Sequence, residues 1–150
     1  MRILFLVLLL LALVGCASGG ATYQDAPKPD TSASTIYIYR PGKFLLGAFD
    51  AQFTVDEAKT ANLSGGSYTY FYVSEGCHHI HQFWSYYANF GKTTDLDFCS
   101  KAGENYYVRL DGFNVVTWSL TPVEKADALT DISNCTYIPS VTSKLSKQSK

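Results

Sequence analysis

The 150-residue chain lacks the motifs that announce several common chemistries. It has no G-x-S-x-G elbow, no P-loop and no G-x-G-x-x-G turn, so an elbow-type hydrolase, an NTPase and a dinucleotide enzyme have no positive support. It has no basic surplus. Twelve Lys and Arg stand against 13 Asp and Glu, a net charge of −1, which argues against nucleic acid as a partner. Methionine is confined to Met1. Beyond the first fifteen residues leucine is scarce while Tyr and Phe abound, a composition that suits strands better than helices. An apolar run long enough to cross a bilayer is also missing. The longest, residues 3–14, would rise about 18 Å as a helix, against a hydrocarbon core of roughly 30 Å. The expectation is a protein that is not an enzyme and carries no cofactor.

What is present begins with a leader. Met1-Arg2 followed by that short apolar run reads as the start of a signal peptide. Leu13-Val14-Gly15-Cys16 then resembles the lipobox of bacterial lipoproteins, in which small residues precede the cut and the Cys after it is acylated. Residues 1–15 are thus expected to be removed and Cys16 to carry the lipid. Three acyl chains exceed the two membrane signals that stable anchoring needs. The resulting expectation is a lipid-anchored protein of the cell envelope. Ala17 in place of Asp after the Cys implies, by the same resemblance, the periplasmic face of the outer membrane in a Gram-negative source. The mature chain would hold 11 Lys and Arg against 13 Asp and Glu, or −2.

Residues 16–35 are predicted to be a flexible tether, being small, polar, Pro-containing and without apolar period, the alternative being a meandering first loop packed on the domain. Such a segment would hold the domain roughly 25 Å from the lipid. Residues 36–138 carry short aromatic and β-branched runs separated by Gly-bearing turns at about ten-residue spacing. This pattern predicts an all-β fold, a small antiparallel β-sandwich with one short C-terminal helix. Each strand is expected to bury one face. Thr121-Pro122-Val123-Glu124 reads as a helix start, with Pro at the first helical position, and the helix should end near Ser133-Asn134. Val123, Ala126, Ala128 and Leu129 are placed toward the sheet. Residues 139–150, rich in Ser and Lys, are expected to be a disordered basic tail.

Three cysteines remain in the mature chain, Cys77, Cys99 and Cys135, enough for one bridge and one odd thiol. Cys77 and Cys99 flank a predicted hairpin centred near Asn89, which brings residue 77 within about one pair of Cys99. Cys77–Cys99 is therefore the favoured disulfide, with pairing to Cys135 as the rival. On a strand, Cys77, His79 and His81 share one face, and a thiolate with two imidazoles supplies three legs of a zinc or copper site. The competing reading of the same residues is a polar outer face with Cys77 oxidised. Asp95 and Asp97 are expected on the solvent side of their strand, opposite Leu96 and Phe98. Arg40, between an aromatic strand and Pro41, reads as a buried structural residue stacked on Tyr37 or Tyr39 or paired with an Asp, the alternative being a surface Arg that grips an anionic partner. Trp84, Tyr86, Tyr87 and Phe90 in the long hairpin form a candidate exposed aromatic binding patch, the alternative being a core built from aromatics.

The landmarks Tyr37-Ile38-Tyr39-Arg40-Pro41, Asp56-Glu57, Gly66-Ser67-Tyr68, Glu75-Gly76-Cys77-His78 and Ala102-Gly103-Glu104-Asn105-Tyr106-Tyr107-Val108-Arg109 occur in that order. Together they resemble the DUF2846 family of small bacterial lipoproteins, over roughly residues 35–130. They are also similar in style to PEGA-type β-sandwich modules. The resemblance implies a β-sandwich and accounts for His78 without a metal; it implies no catalytic residue. Two positions depart from the family pattern. Glu75 stands where the family has Pro, and Asp56-Glu57-Ala58-Lys59 replaces a turn containing Gly. The function expected from all this is a non-catalytic envelope module that binds a protein or polymer. The alternative is a periplasmic metal-binding lipoprotein.

Overall fold

The computed structural model of the chain describes residues 23–29, 31–42, 49–85, 93–112 and 117–141. The run Ile36-Tyr37-Ile38-Tyr39 forms the middle of strand β1 (Ala33–Arg40), and every residue from Ser34 to Arg40 is buried. A strand buried on both sides reads as a continuous apolar run, and it needs cover on both faces. The rest of the fold supplies that cover.

The strands that follow are β2 (Ala51–Val55), β3 (Ala58–Leu63), β4 (Ser67–Ser74), β5 (Gly76–Trp84), β6 (Thr94–Ser100), β7 (Asn105–Gly112) and β8 (Trp118–Val123). Helix α1 (Lys125–Ile132) and the two-residue strand β9 (Thr136–Tyr137) complete the described elements. They build two sheets, one in the order β8-β7-β1-β4-β9 and the other β3-β2-β5-β6. The all-β sandwich with a short C-terminal helix is the architecture the sequence predicts. Pairing is antiparallel except for β1 with β7 and β4 with β9, which run parallel.

Between the sheets, Ile36 and Ile38 of β1 pack with Phe53, Leu63, Phe71, Ile80, Val108 and Leu110. On the other side of the five-stranded sheet, Tyr37, Tyr39, Tyr68 and Tyr107 pack with Ala128, Ile132 and Cys135. The one-face expectation therefore fails for β1, because α1 and an N-terminal segment form a third layer. That segment also corrects the expected tether. Tyr23 lies with its ring against Tyr37 and Tyr68, and the Ala26 amide donates to the Tyr37 hydroxyl at 2.8 Å. Tyr72 in turn donates to the Pro27 carbonyl at 2.7 Å. Residues 23–29 thus belong to the domain, and β1 starts at Ala33, before the predicted boundary.

The helix begins later than its sequence signal. Thr121, Pro122 and Val123 end β8, Glu124 is the N-cap with no side-chain capping bond, and the first helical residue is Lys125. Pro122 fits there because β8 is an edge strand, where a missing N–H disrupts no ladder. Ala128 and Ile132 are the buried helix residues, whereas Ala126 is exposed.

The predicted signal peptide, Cys16 and most of the basic tail lie outside the described residues. Among those described, no helix is long and apolar enough to cross a membrane.

Candidate functional site

The outer face of the four-stranded sheet gathers the polar chemistry. Along β5, His78, Ile80, Gln82 and Trp84 are buried, while Cys77, His79 and His81 point outward. The predicted sharing of one face by Cys77, His79 and His81 thus holds. Strand β6 runs antiparallel beside it with Cys99, Asp97 and Asp95 directly opposite those three residues. Asp95 and Asp97 are exposed, as expected, and Leu96 and Phe98 turn inward.

The first rung is covalent. Cys77 and Cys99 form a disulfide with Cα atoms 3.9 Å apart. This bears out the favoured pairing and removes the Cys77 thiolate from any metal reading. Cys135 is the odd thiol, buried under the five-stranded sheet's helix layer. Burial, then the charge of Asp131, pushes its pKa up to about 11.

The second and third rungs set a histidine against an aspartate. The His79 ring places Nδ1 2.7 Å from Asp97 Oδ1 and Nε2 3.1 Å from Asp95 Oδ1. Both neighbours are carboxylates, which only accept, so the surroundings favour the ring with a proton on each nitrogen. The hydrogen bond to Asp97 is the main cause of its raised pKa. His81 Nδ1 lies 2.5 Å from the same Asp95 Oδ1. That contact, first of all, holds the Asp95 carboxyl below its ordinary value.

His78, on the inner face of β5, has a separate task. Its Nδ1 lies 2.7 Å from Asp56 Oδ2 and its Nε2 2.9 Å from the Ser74 carbonyl. Again both partners accept, which favours the doubly protonated ring. Burial lowers its pKa, but the bonds to Asp56 and Ser74 outweigh that and leave it raised. Asp56 also accepts the His79 amide at 3.0 Å and donates its own amide to the His79 carbonyl at 3.0 Å. The β2–β3 turn is thereby pinned to β5. It is a two-residue turn with Asp56 at φ 47° and Glu57 at φ 67°, the left-handed conformation that hairpins of this length demand. The departure from a Gly-containing turn is accommodated by this anchoring.

The aromatic patch needs correction. Trp84 is 6% exposed and sits between the sheets. Its ring stands 4.6 Å from that of Trp118, centroid to centroid, and the Arg40 guanidinium lies 5.1 Å from one ring and 5.6 Å from the other. Seven positions separate outward Cys77 from Trp84, and on a strand an odd count reverses the face. Tyr86, Tyr87 and Phe90 lie outside the described residues. Arg40 is buried and structural, as expected, but its partners differ from those foreseen. Nη1 donates to the Phe49 carbonyl at 2.6 Å and the Leu63 carbonyl at 3.3 Å, and the stacking is on tryptophan.

The reading of His79 and His81 from sequence missed their partners. Asp95 and Asp97 were visible as exposed carboxylates on the next strand. Setting Cys77 opposite Cys99 fixes the register of the whole hairpin and would have matched each His to its Asp.

Two sheets face to face under a helix, with a disulfide-closed hairpin on the outer face, define a β-sandwich module. The chain belongs to the DUF2846 family, described as a protein of unknown function, whose model matches residues 30–119. No curated protein and no solved structure matches the chain.

Proposed function

We propose that this protein is a lipid-anchored, non-catalytic module of the bacterial cell envelope that holds a protein or polymer partner close to the membrane. The observation that carries the reading is Leu13-Val14-Gly15-Cys16 at the end of the twelve-residue apolar run 3–14, with Cys16 only seven positions ahead of Tyr23. Tyr23 is packed on the sheet. Seven residues reach at most about 25 Å when fully extended, and about 15 Å on average as a flexible chain. A lipid on Cys16 would keep the domain nearly in contact with the bilayer. A recess of about 350 Å³ of mixed character, with Leu96 and Phe98 on one side, Tyr106, Val108 and Pro122 on the other and Glu124 and Lys125 at its edge, is consistent with a binding role. The family description supplies no activity with which this conflicts.

The test is the chemistry of the mature N-terminus. Protein recovered from membranes of the native host is digested and its first peptide weighed. The expected peptide begins at Cys16 and carries acyl chains, and Cys16→Ser leaves the protein unprocessed and without them. A mature protein beginning at Met1, or one with an unmodified thiol at position 16, would refute the reading.

A further inference from the structure

We infer that the outer face of the β5–β6 hairpin is a divalent-metal site of the zinc type, with His79 Nε2, His81 Nδ1 and the Asp95 carboxylate as ligands and Asp97 as the residue that orients His79. The site is independent of the membrane reading above. One potential ligand atom from each of His79, His81 and Asp95 lies within 4.8 Å of the others. Asp95 Oδ1 is the hub, 3.1 Å from His79 Nε2 and 2.5 Å from His81 Nδ1. Ligand atoms around a tetrahedral zinc stand roughly 3.3 Å apart, as follows from bonds of about 2.0–2.1 Å. Between Asp95 and each ring the present spacing is within an ångström of that value, and the two ring nitrogens, which lie within 4.8 Å of each other, must close by up to about 1.5 Å through side-chain rotation. The ion takes the place of the protons now shared among these atoms, which pass to solvent.

Asp97 is the second, independent feature. A metal-bound histidine nearly always donates its other N–H to a carboxylate or carbonyl, which fixes the tautomer and the ring plane. Asp97 Oδ1 already takes Nδ1 of His79 at 2.7 Å, which leaves Nε2 aimed at Asp95. The frame beneath is rigid, because the Cys77–Cys99 disulfide closes the same two strands one rung away. Two imidazoles and one carboxylate suit zinc or copper, and the exposure of His79 and Asp95, about half of each side chain, keeps a fourth position open to water.

The experiment uses untagged oxidised protein, stripped of metal and titrated with Zn²⁺ by calorimetry. The expected result is a single zinc ion per chain. His79→Gln with His81→Gln should abolish binding, and Asp97→Asn should weaken it about 10- to 100-fold. Far-ultraviolet circular dichroism of each variant checks that the sheet is intact; Asp95→Asn, which also removes a ligand, is a second variant should the double one misfold. Loading with Co²⁺ gives a further readout: nitrogen and oxygen ligands alone give no thiolate charge-transfer band. Absence of binding by the wild-type protein, unchanged binding in a folded ligand variant, or a thiolate band would overturn the assignment.

Discussion

Replacing Arg40 should be the most damaging single substitution that leaves the backbone untouched. The side chain is 3% exposed and its guanidinium lies between the sheets against two indole rings. Burial lowers its pKa, with Asp50 acting in the opposite direction. A hydrogen bond from a charged donor contributes about 1.5–3 kcal/mol, and the bond to Phe49 is short enough to count in full. Stacking on a desolvated aromatic adds about 2 kcal/mol. Against this stands the cost of desolvating the charge, which the variant recovers. Arg40→Ala would leave the Phe49 and Leu63 carbonyls without this donor and open a gap beside Trp84, so we expect a loss of about 3–5 kcal/mol. Arg40→Met, which keeps the volume of the stem, should lose less than Arg40→Ala. Urea unfolding followed by tryptophan emission measures both, and it reports on the site directly because the chain has 2 Trp and both touch this guanidinium. A change below about 1 kcal/mol for Arg40→Ala, with the native emission spectrum unaltered, would refute the reasoning.

Three further outcomes are expected. Glu57→Gly should stabilise the protein by up to about 1 kcal/mol in thermal unfolding, since Glu57 sits at φ 67° where a side chain is strained; a loss of stability would show that the strain is not there. Cys77→Ala with Cys99→Ala, which opens a loop with a sequence separation of 22, should lower stability by about 3 kcal/mol in the chain-entropy model, and peptide maps with and without reductant should differ only at peptides holding these two residues. Cys135, with its pKa pushed up to about 11, should resist iodoacetamide at pH 8 in the folded protein, where about one thiol in a thousand is ionised, and react once urea unfolds the chain; labelling of the folded protein at the rate of a small free thiol would contradict this.

The parts of the fold that were legible are those governed by local alternation. The outward row of Cys77, His79 and His81, the inward row of Leu96 and Phe98 and the disulfide all follow from strand parity and one hairpin register. What failed depended on tertiary cover. Tyr37 and Tyr39 are core residues only because α1 and residues 23–29 lie over them, and a polar stretch such as Tyr23-Gln24-Asp25 has no period that signals docking. Thr121-Pro122 satisfies the rules for a helix start, yet pairing with β7 extends the strand through it. At the candidate site, the histidines and the exposed aspartates were both visible, but a hairpin centred near Asn89 sets the register off by about one pair, and only the disulfide fixes which Asp meets which His.

The parallel pairing of β1 with β7 has a consequence for biogenesis. Thr35 meets Asn105, so the central strand waits for seventy further residues of chain before its second flank is filled. Contacts of such long range slow folding, because the intervening chain must be gathered first. Until then one side of a hydrophobic strand offers unpaired amides and carbonyls to any neighbouring polypeptide. A fragment ending before β7 should therefore precipitate rather than persist as a smaller domain.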